Sequence, residues 1–584
     1  MKRCPECRRD YYDDTLLYCL EDGVQLVQGS VPVSQTVADE PATAILHTTD
    51  AVGDAPTREQ IRTTDQTAIL HAGAEAEPRK SLGELTEKQS FSANRAAKPL
   101  MAIGLAVILL VGGFVGYRYF GPNAKQIESI AVMPFVNESG NADVEYLSDG
   151  MTEILIGSLS KLPNLSVKAR STVFRYKGVS TDAKTIGAKL GVQAILNGRV
   201  VQRGDQITLS LELVDARTEN VIWSDKYDRK EADLLALQTD IARDVSSKLK
   251  LRLSGEETAT VAKNYTASAE AYQTYLKGLF EYNKLTGDGL KQAARYFEEA
   301  VRKDPEYAQA YALLAMTYLN FSNYSVALPK ESMPHAKAAA LRALELDSTM
   351  GEAHVALARY QSEYDWDRAG AEVEIRRAID LDPKNPRPHS MLSQILGQEK
   401  RFDESIAETR IAQQLDPLSV GRTLNVAERL ADARRYGEAL SLLQSLSQQD
   451  PNFANTYWDL GWVYFGMGRH NDSILYFQKA FELDPDPVIR GYQALSYAKL
   501  GQRDKAVGEL EWLKHEAAKR YVPSIAFALA YIALDQRNEA FEWLEKDVND
   551  RTIYASSYAI EPALDDVRDE PRFKAMLQRL NLPE

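Results

Sequence analysis

Hydrophobic positions change their period three times along the chain. Residues 28–97 have none: large apolar side chains are sparse among Thr, Ala, Asp and Glu, so the segment buries no core and reads as a disordered linker. Residues 100–117 then run without a charge between Lys98 and Arg118. With Pro99, Tyr119 and Phe120 at the flanks, 99–120 reaches the length of about twenty residues that spans a bilayer as a single transmembrane helix. From 127 to 253, strand-like runs alternate with helical spacing. Residues 129–135 form one apolar run, whereas Met151, Ile154, Leu155 and Leu159 recur at helical intervals. Further strands are expected over 165–169, 192–201, 206–214 and 220–223, and helices over 182–190 and 234–251. This pattern predicts an α+β domain ending in an antiparallel meander. From 267 to 584 the helical period persists throughout.

The last region also repeats itself. Asp-Pro pairs end at Pro305, Pro383, Pro417, Pro451 and Pro485, and the last four prolines recur every 34 residues. The clearest copy, from Ala454 to Pro485, carries Leu460, Gly461, Tyr464, Ser473, Phe477 and Ala480, with Pro485 expected to open the next helix. This pattern resembles the tetratricopeptide repeat, a helix–turn–helix unit of 34 residues. The resemblance implies seven or eight repeats stacked into an all-α superhelical solenoid whose groove is lined by the first helix of each pair. In that frame the candidate peptide-groove positions are Trp458, Trp462, Phe465 and Tyr492, with Tyr275, Leu279 and Tyr282 in the first repeat. Apolar positions there favour capture of a peptide or protein partner through aromatic anchors, and packing against a neighbouring repeat is the alternative.

Composition narrows the classes. Formal net charge is −14, which disfavours nucleic acid as a partner. The three cysteines, Cys4, Cys7 and Cys19, all lie at the N-terminus, so no disulfide framework holds the rest. Their spacing, Cys4-x2-Cys7 and Cys19-x2-Asp22, resembles a degenerate zinc ribbon over residues 1–27, found at the start of many bacterial signalling proteins. Zn2+ held by Cys4, Cys7, Cys19 and Asp22 is what that resemblance implies. Asp22 stands where a full ribbon has a fourth cysteine, which weakens the site, and a metal-free hairpin is the other reading. In the linker, a Thr-Ala-Ile-Leu-His motif occurs twice, making Thr43 and Thr67 candidate phosphosites of a docking peptide. Within the apolar run, Gly112 and Gly116 form a GxxxG through which two copies could pack as a homodimer.

Between the apolar run and the repeats, the motifs AVMPF, YLSDGMTE, GAKLGV, NGRV and LVDARTENVIWSDKYD resemble the TolB-like N-terminal domain of bacterial sensor and kinase-associated proteins. That family implies an interaction domain without established catalysis over 127–253. Asp149 and Glu153, four apart on one helix, are read as a solvated or helix-terminal pair rather than an acid–base pair. P-loop, zincin, nucleophile-elbow and kinase motifs are absent, and the seven histidines are scattered, so an enzyme is not expected. The charge bias at the span and the cysteine placement put the N-terminus in the cytoplasm and the C-terminal domains outside, at a bacterial inner membrane. The expected function is a membrane-anchored, non-enzymatic scaffold. A component of a Ser/Thr kinase or transcriptional pathway, with the N-terminal segment as input or output, is the alternative.

Overall fold

In the computed structural model the described residues are 127–162, 164–249, 266–324 and 326–584, together with three two-residue strands near the N-terminus. The chain divides into two compact units, Met1–Leu109 and Leu110–Glu584. In the first, β1 (Lys2–Arg3) pairs antiparallel with both β2 (Asp10–Tyr11) and β3 (Val27–Gln28). Cys4, Cys7, Cys19, Asp22, Thr43 and Thr67 lie outside the described residues, and so do the linker and the predicted span 99–120 with Gly112 and Gly116. Among the described residues, no helix is long and apolar enough to cross a membrane.

The second unit opens with an α/β domain. Its sheet runs β6-β4-β7-β8-β9, with β4 Ser129–Val132, β6 Ser166–Val167, β7 Ala194–Arg203, β8 Gln206–Asp215 and β9 Val221–Lys230; the short β5 (Val136–Asn137) pairs with β7. β4 is parallel to β6 and β7, whereas β7, β8 and β9 form the antiparallel meander. The sheet is therefore mixed, the expected antiparallel meander being joined to a parallel part: the apolar run of β4 lies between β6 and β7, and a parallel strand inside a sheet must be covered on both faces. β8 buries Ile207, Leu209, Leu211 and Leu213 on alternate positions, leaving its other face more open. β9 is the edge, and its charged Lys226, Asp228 and Arg229 discourage pairing with another chain. Helices α1 (Glu145–Ser160), α2 (Arg170–Val173), α3 (Ala183–Leu190) and α4 (Leu234–Lys248) complete the domain. The GAKLGV motif explains the end of α3: Asp182 caps its first turn through the Thr185 N–H at 2.7 Å, and Gly191 takes the left-handed φ of 63° that stops it.

Eight helix pairs follow: α5/α6 (Ala269–Tyr282, Gly287–Lys303), α7/α8 (Ala308–Asn320, Pro329–Leu346), α9/α10 (Gly351–Tyr360, Arg368–Leu381) and α11/α12 (Pro386–Gln398, Phe402–Leu415). Then come α13/α14 (Val420–Asp432, Tyr436–Gln449), α15/α16 (Ala454–Gly466, His470–Leu483), α17/α18 (Val488–Lys499, Arg503–Ala517) and α19/α20 (Ser524–Ala533, Arg537–Asn549). Within a pair the helices approach where one side chain is missing. A Cβ on Gly461 would lie 2.6 Å from the ring of the fully buried Phe477, and one on Gly278 would lie 2.7 Å from Phe297. The Asp-Pro pairs end helices instead of opening them. Asp416, Asp450 and Asp484 take extended φ values of −137°, −137° and −144°, because the following proline excludes the helical region at the residue before it. Pro485 accordingly sits in the turn, and α17 starts at Val488.

Two further contacts shape the array. The α/β domain docks on it: Thr172 and Ser171 donate to Asp416 at 2.9 and 3.2 Å, Arg175 donates to the Leu418 carbonyl, and Leu276 of α5 packs on Gly150 of α1. After α20 the chain turns back through 3-10 segments at Ile553–Ser557 and Pro562–Val567 to α21 (Pro571–Arg579). This returning segment reaches the third and fourth pairs. Arg368 donates to the Leu580 carbonyl at 2.7 Å, and Gln398 donates to Ser556 Oγ at 3.2 Å. The solenoid is thereby closed on itself.

Candidate functional site: the lumen of the helical array

Closure leaves a cavity of about 640 Å³, lined by the first helix of every pair and by residues 553–561 of the returning segment. Its lining follows the repeat. Trp458, Asp459 and Trp462 of α15 face it, as do Asn425 and Glu428 one repeat earlier and Ser390, Met391 and Gln394 one repeat before that. Four of the seven predicted groove residues, Tyr282, Trp458, Trp462 and Tyr492, line the cavity. The other three are corrections. Tyr275 is 2% exposed, with its ring 5.6 Å from Phe297 and 5.2 Å from Tyr307, because the next repeat covers it. Leu279 is likewise buried on α5, the helix on which α1 of the α/β domain packs. Phe465 is buried edge-on against His470 and Tyr492.

One wall is aromatic: the Trp458 ring stands edge-on to Tyr492 at 5.3 Å and to Phe477 at 5.6 Å. Beside it lies an acidic cluster that the aromatic pattern did not announce. Asp432 at the end of α13 and Asp459 on α15 are each 5% exposed, and each has one oxygen, Oδ2, without a hydrogen-bond partner. Asp432 Oδ2 lies 3.1 Å from Arg429 Nε, an ion pair out of line for a hydrogen bond. Glu428 reaches the same guanidinium at 3.3 Å, and Glu561 accepts from the Trp462 indole N–H at 3.1 Å. Burial pushes the Asp432 carboxyl up to about 6 against the pull of Arg429. Burial, with Glu428 and Asp432 nearby, also pushes Asp459 well above the usual carboxylate range, and burial raises Glu561.

The other end of α13 is cationic. Arg422 donates to Ser390 Oγ at 2.7 Å, and burial followed by the like charge of Arg387 lowers its proton affinity. Arg359 is held by Glu363 at 3.0 Å and by Asn320 at 2.9 Å. From Arg422 to Asp432 is ten residues of helix, about 15 Å at 1.5 Å per residue, so the lumen is polarised along its length. Repeat alignment carried to positions 425, 428 and 459 shows these charges; attention to aromatic residues alone does not.

In the α/β domain, Asp149 is clamped by Lys177 at 2.6 Å, and Glu153 lies 3.1 Å from Arg170 and accepts from Asn283 of α5 at 2.6 Å. Both carboxylates are engaged in structure. Among the described residues, no group of three or more His, Cys, Asp or Glu is placed to hold a metal.

Comparison with known proteins divides the second unit the same way. Residues 430–496 match the tetratricopeptide repeat family, and residues 125–244 match the family described as HilA/YgeH-like transcriptional regulator, second domain. The chain is 30% identical over 234 residues to the putative adenylate cyclase 3 of Rhizobium meliloti, covering 39% of each protein. It is 25% identical over 268 residues to Superkiller protein 3 of Schizosaccharomyces pombe, covering 46% of this chain and 16% of that one. The matches therefore span well under half of these relatives. Among solved structures, yeast Tom70 is similar with a TM-score of 0.35 and 14% identity, over 74% of this chain and 92% of that one. The Pseudomonas aeruginosa pilF structure gives 0.29 and 18%, over 41% and 97%. The chain is a tetratricopeptide-repeat protein whose repeats follow a HilA/YgeH-like domain.

Proposed function

We propose that this protein is a non-enzymatic scaffold that binds protein or peptide partners in the lumen of its repeat array. In this reading the α/β domain, TolB-like by its motifs, braces the array and offers a second interaction surface. The span 99–120 anchors the molecule in a bacterial inner membrane with the N-terminus in the cytoplasm, and Cys4, Cys7, Cys19 and Asp22 form a zinc knuckle there. The observation that carries the reading is the cavity itself, continuous through all eight first helices and walled by Trp458, Trp462 and Tyr492. Aromatic anchors in a concave surface are what peptide capture uses.

The test is site-specific photocrosslinking in cells. A benzoylphenylalanine at Asn425, in the lumen, is expected to give discrete crosslinked partners, whereas one at Val373, which is 68% exposed on α10, gives none of them. The same adducts from both positions, or none from Asn425, would defeat the proposal. A second reading, a component of a signalling pathway, is supported by the regulator-domain match over 125–244. Reporter fusions at both ends separate the two readings, since a transcriptional output requires the α/β domain in the cytoplasm.

A further inference from the structure

The acidic end of the lumen is incomplete as it stands. Glu428, Asp432 and Asp459 surround the guanidinium of Arg429, Glu561 lies close to Asp432, and Arg434 nearby is drawn to Asp565 at 3.3 Å. Asp432 and Asp459 are both buried and both face the cavity; Asp459 Oδ2 has no hydrogen-bond partner, and Asp432 Oδ2 has only the misaligned ion pair with Arg429. A buried carboxylate oxygen without a donor is costly, and native structures retain one chiefly where a ligand supplies the donor. The donor sought here is a cation, because the carboxylates outnumber the positive charges. The lack of any three-ligand metal cluster among the described residues argues against a bare metal ion. The half-buried faces of Trp458 and Trp462 beside these carboxylates suit an organic cation with a slender apolar stem.

We propose that the lumen seats the side chain of an arginine or lysine from a bound peptide, held between the Trp458 and Trp462 rings and the carboxylates of Asp432 and Asp459. This rests on the peptide-binding reading above and names its specificity. The Arg387 and Arg422 pair at the far end repels a second basic residue, so the lumen selects a peptide with one positive charge rather than a uniformly basic one. Binding also depends on pH. The groups facing Asp432 are Glu428 and Arg429 on its own helix, Asp459 on α15, Glu561 on the returning segment and Arg434 beyond α13. Because burial raises the carboxyls of Asp432, Asp459 and Glu561, with Asp432 at about 6, a cation binds more weakly as the pH falls through that value.

The experiment uses the full chain in detergent and two fluorescein-labelled hexapeptide libraries, identical except that the third position is arginine in one and citrulline in the other. Citrulline keeps the shape and removes the charge. Anisotropy at pH 7.5 is expected to show the arginine library bound about tenfold or more tighter, as for a hydrogen bond to a charged group. Asp459→Asn, and Asp432→Asn with Asp459→Asn, are expected to abolish the difference between the arginine and citrulline libraries. Without any substitution, the arginine advantage shrinks between pH 8 and pH 5.5. Equal binding of the two libraries by the native chain overturns the basic-side-chain proposal and leaves the peptide-binding reading standing. Binding of neither library overturns both.

Discussion

Replacing Asp432 with asparagine should make the protein more stable, and by an amount that changes with pH. In the folded chain burial raises this carboxyl from 3.8 to about 6. Its folded form therefore holds a proton more tightly than its unfolded form. At about 1.4 kcal/mol for each tenfold in proton affinity, the ionised group costs the native state about 3 kcal/mol above pH 7. That cost falls as the pH drops through 6 and vanishes below 3.8, where both states are protonated. Asparagine mimics the protonated carboxyl at every pH. Arg429 keeps Glu428 at 3.3 Å, so the substitution does not strand its charge. The expected result is a higher Tm for Asp432→Asn at pH 7.5, by about 3 °C, since an unfolding entropy of about 2.1 cal/mol/K per residue over the unit Leu110–Glu584 gives about 1 °C per kcal/mol. The gain should narrow toward pH 5, because the native protein itself becomes more stable over that interval. Thermal unfolding followed by circular dichroism at pH 7.5, 6.0 and 5.0 measures both effects. A Tm below that of the native chain at pH 7.5, or a gain that does not vary with pH, would refute the argument.

Three other expectations follow from the packing. Arg368→Ala removes the donors to the Leu580 carbonyl and Gln398 and should cost about 2–4 kcal/mol, with faster proteolysis after residue 550 as its signature. Gly461→Ala puts a methyl 2.6 Å from the Phe477 ring and should cost about 1–3 kcal/mol by overpacking, read as a lowered Tm. Thr172→Val, combined with Ser171→Ala, deprives the buried Asp416 of its two hydroxyl donors. Hydrogen exchange should then accelerate in 170–176 and 415–419 while the last repeats are unchanged.

The repeat was legible because each copy must solve the same contact. A small residue on one helix faces a ring on the next, so Gly278 with Phe297 and Gly461 with Phe477 recur in register. The meander was legible from the alternation at β8. Parallel pairing of β4 with β6 and β7 was not, because a short apolar run does not state its neighbours. Alignment of the first repeat on the sixth predicted Tyr275 and Leu279 at the groove. It could not show that the second repeat and the α/β domain cover them, since those contacts join segments without shared periodicity. Asp432 and Asp459 do not stand out in the sequence, because acidic residues on helices are ordinarily solvated. Only the closure that brings Glu561 beside them makes the site a buried one.

The grip of Arg368 on the Leu580 carbonyl gives the array a mechanical property that open solenoids lack. An open stack of hairpins behaves as a spring, stretching and fraying from a loose end one unit at a time. Here the tail is latched to the middle of the coil, and the coil behaves as a hoop of set bore.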